Sequence, residues 1–208
     1  MANSIRPGGR CVAGIDIETG QWIRPVTEYG GGIPESKTLI NGQQLSVLDV
    51  VELDLNEAIF NTRFQCENQV IRDWNWKIVD RLKPQDVIKY CDNTCPILHC
   101  TGDKVAPSKL EKLAPQEWKS LQLIKPLKVS LYDYLNFYNK RRWRANFRDI
   151  NENIYDLQIT DTETCNQLNT GKKLKSDCLF TISMAGPLMP GGVKQEMCFK
   201  LVVAVIEL

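Results

Sequence analysis

Residues 139–160 read NKRRWRANFRDINENIYDLQIT, and the period of this stretch decides the fold. Arg142, Arg144, Asn146 and Arg148 share one parity; Trp143, Ala145 and Phe147 share the other. Successive side chains of a strand point to opposite faces, so the spacing predicts one basic face and one apolar face. Asn151-Glu152-Asn153 is turn chemistry. Ile154 to Thr160 then returns with Tyr155, Leu157 and Ile159 opposed to Asp156 and Gln158. The pattern predicts a β-hairpin with a packed inner face and an arginine-lined outer face.

Working outward, Leu123 to Tyr134 reads as a strand with Pro126 near its start, and Tyr134 to Lys140 as a loop. After the hairpin, Asp161 or Thr162 can cap a short helix, Glu163 to Leu168, that Gly171 ends. Asp177 to Met184 and the apolar stretch Met197 to Leu208 read as strands, joined by the Gly/Pro-rich loop Ala185 to Gln195. The second half is therefore β-β-β-α-β-β, the plan of an OB barrel. Such barrels bind ligands on their second and third strands and on the loops after the first and fourth. Charge position and element order point to one surface.

The first half is less regular. Arg10 to Ile17 and Gln21 to Val26 read as a hairpin around Glu18-Thr19-Gly20, with Pro25 placing the return strand at an edge or ending it. Tyr29 to Gln44 reads as a loop; its Gly30-Gly31-Gly32 lacks the Gly-Lys-Ser/Thr ending and following helix of a phosphate cradle. Leu45 to Leu55 is apolar on both parities and reads as one strand buried on both sides. Ala58-Ile59-Phe60, Phe64 and Val70-Ile71 suggest short strands. Trp74 and Trp76 share a parity and suit packing on the first core, with base stacking as the sharper alternative for one of them. Pro84 to Cys91 reads as a short helix led by proline. Thr101 to Gln116 reads as the connection between halves, with a brief helix at Ser108 to Leu113.

The fold class is mainly β with short helices, over 208 residues that can bury one large core or two small ones. Lys+Arg and Asp+Glu total 26 and 25, a formal charge of +1, so any anion site must be local. No apolar run approaches the roughly 20 residues of a membrane span, and residues 1–10 lack a signal-peptide core; the expectation is a cytoplasmic protein with no membrane partner. The eight cysteines are scattered, which in a reducing compartment predicts free thiols.

Cys91, Cys95, His99 and Cys100 lie together in CDNTCPILHC. These residue types can hold zinc, but one tight cluster departs from the two close pairs of a structural site. The expectation is no metal and no cofactor, with these four residues as the alternative. His99 is the sole histidine, so a Ser–His or Cys–His pair would have to use it, and no nucleophile motif surrounds it. No catalytic residue is expected. Asp16, Glu18 and Glu52 are the only acidic candidates for a nuclease or nucleotide hydrolase.

The segments GGRCVAGIDIETGQWIRPVTE, LSVLDVVELDL, RRWRANFRDINENIYDLQITD and FTISMAGP…CFKLVVAVIEL resemble the prokaryotic dual-OB-containing domain family along nearly the whole chain. The resemblance implies two OB-like barrels in tandem, expected at residues 1–100 and 122–208 with 101–121 as the connection. It further implies nucleic-acid or nucleotide recognition, in the setting of prokaryotic defence.

The leading reading is a noncatalytic binding module for single-stranded nucleic acid or a nucleotide-like ligand. Arg142, Arg144 and Arg148 would meet phosphates, extended by Lys172 and Lys173 and helped by Arg6, Arg10 and Arg24. Tyr132, Tyr134, Phe137, Tyr138 and Trp143 are stacking candidates, Trp143 being placed on the core side. The alternative for the arginine row is a solvated strand face paired across strands with Asp156 and Glu152. The runner-up function is a protein-interaction subunit of a larger complex; an enzyme is the third.

Overall fold

The computed structural model describes residues 2–6, 8–57, 63–189 and 195–208. The strand expected at Ala58-Ile59-Phe60, the Arg6 side chain and the far part of the loop Ala185 to Gln195 lie outside the described residues. Two compact units result: Met1–Thr62 with Glu67–Tyr90, and Arg63–Cys66 with Cys91–Leu208. No helix among the described residues is long and apolar enough to cross a membrane.

In the first unit the strands are β1 (Ala2–Arg6), β2 (Gly9–Ile15), β3 (Trp22–Val26), β4 (Leu39–Ile40), β5 (Gln43–Gln44), β6 (Asp49–Glu52), β7 (Leu55–Glu57), β8 (Asn68–Ile71) and β9 (Lys77–Arg81). The main sheet has the order β1-β2-β3-β8-β7, with β3 and β8 parallel and the other neighbours antiparallel. The β2–β3 hairpin forms where the sequence places it, with Gly20 at φ +74 in the turn. Gly9 is needed for another reason: a Cβ there would stand 2.4 Å from the Ile33 carbonyl oxygen. That close approach lets Arg10 and Ile33 exchange backbone hydrogen bonds of 2.7 and 2.8 Å. Val12, Ile33, Ile40, Leu45 and Trp76 form the core.

Three expectations change here. The single strand read from Leu45 to Leu55 is two, β6 and β7, because the chain leaves one partner, β9, for another, β8. Apolar residues on both parities gave no sign of that exchange. The loop 29–44 contains the two-residue hairpin β4–β5, whose Asn41-Gly42 turn has φ +51 and +77, the positive pair that such turns require. Phe64 is not in a strand: at φ +68 it belongs to the second unit.

The second unit contains β10 (Lys104–Val105), α1 (Pro107–Leu110), β11 (Leu121–Ile124), β12 (Leu127–Leu135), β13 (Arg141–Arg148), β14 (Ile154–Ile159), α2 (Thr162–Asn169), β15 (Cys178–Met184) and β16 (Cys198–Glu207). The order is β11-β15-β16-β14-β13-β12, with β14 and β16 parallel. The strand expected from Leu123 to Tyr134 is broken at Lys125-Pro126 into β11 and β12, since proline has no N–H to give a ladder. These two arms are the two edges of the sheet, so the sheet curls until its ends meet at one bend in the chain. Omitting the short β11 arm, both units have the strand order 1-2-3-5-4 with the third and fifth parallel. In the second unit α2 lies between the third and fourth strands, as the OB plan has it. Asp161 caps α2 by accepting from the Glu163 and Thr164 N–H groups.

The hairpin β13–β14 turns its faces as its period predicts. Ala145, Phe147, Tyr155, Leu157 and Ile159 are at most 2% exposed. Phe147 stacks on Tyr155 at 5.5 Å and meets Phe180 edge-on at 5.3 Å. The turn is organised by buried Asp149, which accepts from the Asn151 and Asn153 N–H groups, from Asn153 Nδ2 and from the Tyr155 hydroxyl. Burial raises the Asp149 pKa, but the hydrogen bonds from Asn153, Cys95 and Tyr155 together hold it below the ordinary value.

Residues 63–66 complete this unit from elsewhere in the chain. Phe64 is 1% exposed within the core and meets Trp118 edge-on at 5.0 Å. Arg63 bridges Glu111 and Glu196, and Gln65 Nε2 donates to the Met184 carbonyl at 3.1 Å.

Two outcomes are expected. Phe64→Ala removes a buried aromatic and should cost about 3–5 kcal/mol, measured by denaturant unfolding and seen first as lost amide protection in β15 and α1. Asp149 binds its proton more weakly folded than unfolded. Its charge therefore stabilises the fold above the ordinary aspartate pKa of about 4, and that contribution drains away as pH falls toward the lowered folded value. Asp149→Asn should lower the melting temperature at pH 7 and flatten its fall between about pH 5 and pH 2.

Candidate functional site

On the outer face of β12–β13–β14, register puts Tyr134 opposite Arg142, Tyr132 opposite Arg144, Arg144 opposite Gln158 and Asn146 opposite Asp156. Aromatic and cationic side chains thus alternate with acceptors across three strands. The arginine row does not act as one. Arg144 Nε donates to Asp156 Oδ1 at 2.8 Å, and Asp103 lies 3.9 Å from its Nη2. Tyr132 donates to Asp156 Oδ2 at 2.7 Å, and this bond lifts the phenol's pKa. Arg148 pairs with Glu152 at 2.6 Å, a carboxylate that also holds Lys128 at 2.9 Å and stays below the ordinary glutamate pKa because of both. The cross-strand pairing with Asp156 and Glu152 is therefore present for these two arginines. Arg142 is exposed and makes no ion pair among the described residues.

The loop after β12 presents the other candidates. Asn136 Oδ1 accepts from the Tyr138 and Lys140 N–H groups, both at 3.0 Å, and Asn136 N–H donates to the Lys140 carbonyl at 3.0 Å. Asn139 completes the turn at φ +55. This folded loop holds Phe137 96% and Tyr138 77% exposed, their rings edge-to-face at 5.5 Å. Arg141 is paired with Asp133 at 3.0 Å; the Lys140 side chain has no ion-pair partner among the described residues. Asn136 is the residue that sequence reading missed. Its signal is the Asn-x-x-Asn spacing of a turn whose ends both need local side-chain or positive-φ help.

Topology brings further cations to the same end of the barrel. β13 begins where β14 ends, with Trp143 opposite Ile159, and β16 runs parallel to β14. The C-terminal end of β16 is therefore at the loop's end. There Lys172 meets Glu207 at 3.1 Å, and Lys173 is exposed. Trp143 packs against the core and donates to Asn169 Oδ1 at 2.9 Å, tying α2 to this end. Tyr134 is half-buried, its hydroxyl 3.4 Å from Gln158 Oε1.

Arg10 and Arg24 stand in the first unit. The Arg10 side chain is 11% exposed and paired with Glu35. Arg24 is 2% exposed, and its Nη1 donates to Asn68 Oδ1 at 3.3 Å.

The CDNTCPILHC segment is tied backbone first to the second unit. Gln122 Nε2 donates to the Asp92 and Thr94 carbonyls, its Oε1 accepts from Leu98 N–H, and the Tyr155 hydroxyl accepts from Ile97 N–H. Buried Lys200 donates to the Ile97 and Cys100 carbonyls, and burial lowers its pKa. The ligating atoms are turned apart: Cys100 Sγ donates to the Lys104 carbonyl, while His99 Nε2 accepts from Lys119 N–H at 3.1 Å. Among the described residues no group of three or more His, Cys, Asp or Glu could hold a metal ion. Of the acidic candidates, Asp16 organises its own turn by accepting from Glu18 N–H and the Thr19 hydroxyl, and Glu52 pairs with Lys77 at 3.4 Å.

A family model described as dual OB-containing domain matches residues 1–205. No curated protein and no solved structure gives a significant match.

The two central arginines should separate in experiment. Arg144→Ala leaves Asp156 bonded to Tyr132 but without its guanidinium partner and should cost about 1 kcal/mol of stability. Arg142→Ala should leave the melting temperature unchanged, both read by thermal unfolding at low salt.

Proposed function

This chain belongs to the dual OB-containing domain family, and we propose that its second barrel binds single-stranded nucleic acid or a nucleotide at the loop between β12 and β13. The observation that carries this reading is the pair Phe137 and Tyr138, held outward on a loop fixed by Asn136, beside exposed Arg142 and Lys140. A phenylalanine 96% exposed in a hydrogen-bonded loop loses apolar burial that a partner can restore. Flat rings next to unpaired cations suit a polymer of bases and phosphates: rings stack on any base, and cations follow the backbone. Lys173 stands at the same end of the barrel and extends the track. The paired arginines Arg144 and Arg148 contribute less, since a phosphate would have to compete with carboxylates already in place. Arg10, paired with Glu35, and Arg24, buried against Asn68, are left out of the site.

A protein partner is the second reading. Leu135, 62% exposed at the end of β12 beside this loop, favours it, because an aliphatic side chain offers no stacking surface.

Binding of a fluorescent single-stranded oligonucleotide, followed by anisotropy over a range of salt, tests the proposal. Each stack is worth about 1–3 kcal/mol, so Phe137→Ala with Tyr138→Ala should weaken binding by at least about tenfold. Arg142→Ala should reduce the slope of log affinity against log salt by about 0.7, the share of one phosphate on a single strand. All three side chains are exposed, so the melting temperature should stay level. Unchanged affinity in the double variant would remove the nucleic-acid assignment and leave the protein partner.

A further inference from the structure

We infer that the loop between β12 and β13 seats two adjacent nucleotides with their bases unstacked and turned apart, one on Phe137 and one on Tyr138, and so prefers pyrimidine runs to adenine runs. The inference rests on the ligand class proposed above and goes beyond it by naming the kind of strand.

Its ground is the angle between the two rings. Their centroids are 5.5 Å apart and their planes meet at 85°. A base sandwiched between two rings needs parallel planes about 7 Å apart, twice a carbon contact of about 3.5 Å. This pair offers no such slot. An edge-to-face contact covers one face of one ring and an edge of the other. With Phe137 96% and Tyr138 77% exposed, each ring keeps an open face. The two open faces are nearly perpendicular. The backbone beneath them is fixed: the Tyr138 and Lys140 N–H groups bond to Asn136 Oδ1, and Asn139 N–H donates to the Asn136 carbonyl at 2.9 Å.

Bases seated on those faces stand at nearly a right angle and cannot stack on one another. In a relaxed single strand neighbouring bases lie parallel, so binding here opens one step. The cost follows the strength of that step. Adenines overlap through two fused rings and resist opening; thymines and uracils overlap through one ring and open readily. Sequence preference then arises from stacking and chain flexibility, with no base edge read. The sign is diagnostic. Rings that only offered area would favour adenine, the larger partner; rings that force neighbours apart favour thymine. Lys140 and Arg142, both exposed, meet phosphates, which are the same in every sequence, so they do not set the preference.

The test compares labelled single strands of eight thymidines and of eight deoxyadenosines on the full chain, by anisotropy at one salt concentration. The expected result is the thymidine strand bound at least about fivefold tighter, the order of one stacking step. Phe137→Ala and Tyr138→Ala, made singly, should each weaken binding of the thymidine strand and bring the ratio to one or below, since a lone ring forces no step open. Both side chains are exposed, so the melting temperature should stay level. A thymidine dinucleotide should compete at a far lower concentration than thymidine monophosphate. Three results overturn the splayed-base inference and leave single-strand binding standing: equal or tighter binding of the adenine strand, a thymidine preference that survives both single variants, or equal competition by the mononucleotide. No binding of either strand overturns both readings. The strand comparison needs no variant, so a poorly folded variant would not obscure the answer.

Discussion

A short parallel contact between the third and fifth strands ties the two parts of each sheet together. In the second unit it is Gln158 opposite Leu201 and Ile159 opposite Val202, extended by the Thr160 N–H to the Val202 carbonyl at 2.8 Å. In the first unit it is Arg24, Pro25 and Val26 beside Asn68, Gln69 and Val70. Without that contact the hairpin strands would be a flat meander with one wet face and one apolar face. With it, in the second unit, the apolar face of the hairpin packs against the fourth and fifth strands and its polar face is left outward. The side chains fit this duty. Arg24 is buried because it sits at the parallel seam, where its guanidinium bonds to Asn68 across the same pair of strands. A cation spent on the seam is a structural group, whatever its charge suggests in the sequence.

The period of two along residues 141–159 was legible because every second residue meets the same core. Ala145, Phe147, Tyr155, Leu157 and Ile159 are buried for the reason that made them recognisable. The cap at Asp161 and the stop at Gly171 were legible because both act within a few residues. Pairings across long separations were not. The break of Asp49–Glu52 from Leu55–Glu57 depends on two partners, β9 and β8, that lie far along the chain. Phe64 has no local pattern at all. Its place in the second unit is fixed by Trp118, 54 positions away, and by carboxylates of Glu111 and Glu196. The Asn41-Gly42 turn was present in the sequence and hidden by the polar stretch around it.

Of the candidate site, the parity of the arginines was readable and their state of pairing was not. Which carboxylate reaches which guanidinium follows from register. Arg144 meets Asp156 because β14 sets Asp156 one position off, opposite Asn146. Arg148 meets Glu152 because the turn, held by Asp149, brings that carboxylate back over the strand end. The exposed aromatics were named as candidates from their position in the loop, but their exposure rests on Asn136, whose side-chain oxygen replaces the ladder that the strands have just lost.

The distribution of charge on the second unit then has a physical sense. Of the four arginines in 141–148, three carry a carboxylate each, and Arg142 carries none among the described residues. A fully unpaired row would repel itself along the strand and would attract polyanions of any kind. Pairing removes most of that field and keeps the carboxylates oriented, while Arg142 stays exposed beside them. Net charge near zero in the whole chain accords with this pairing: cations matched by nearby carboxylates leave long-range attraction small, so any anion site has to be local.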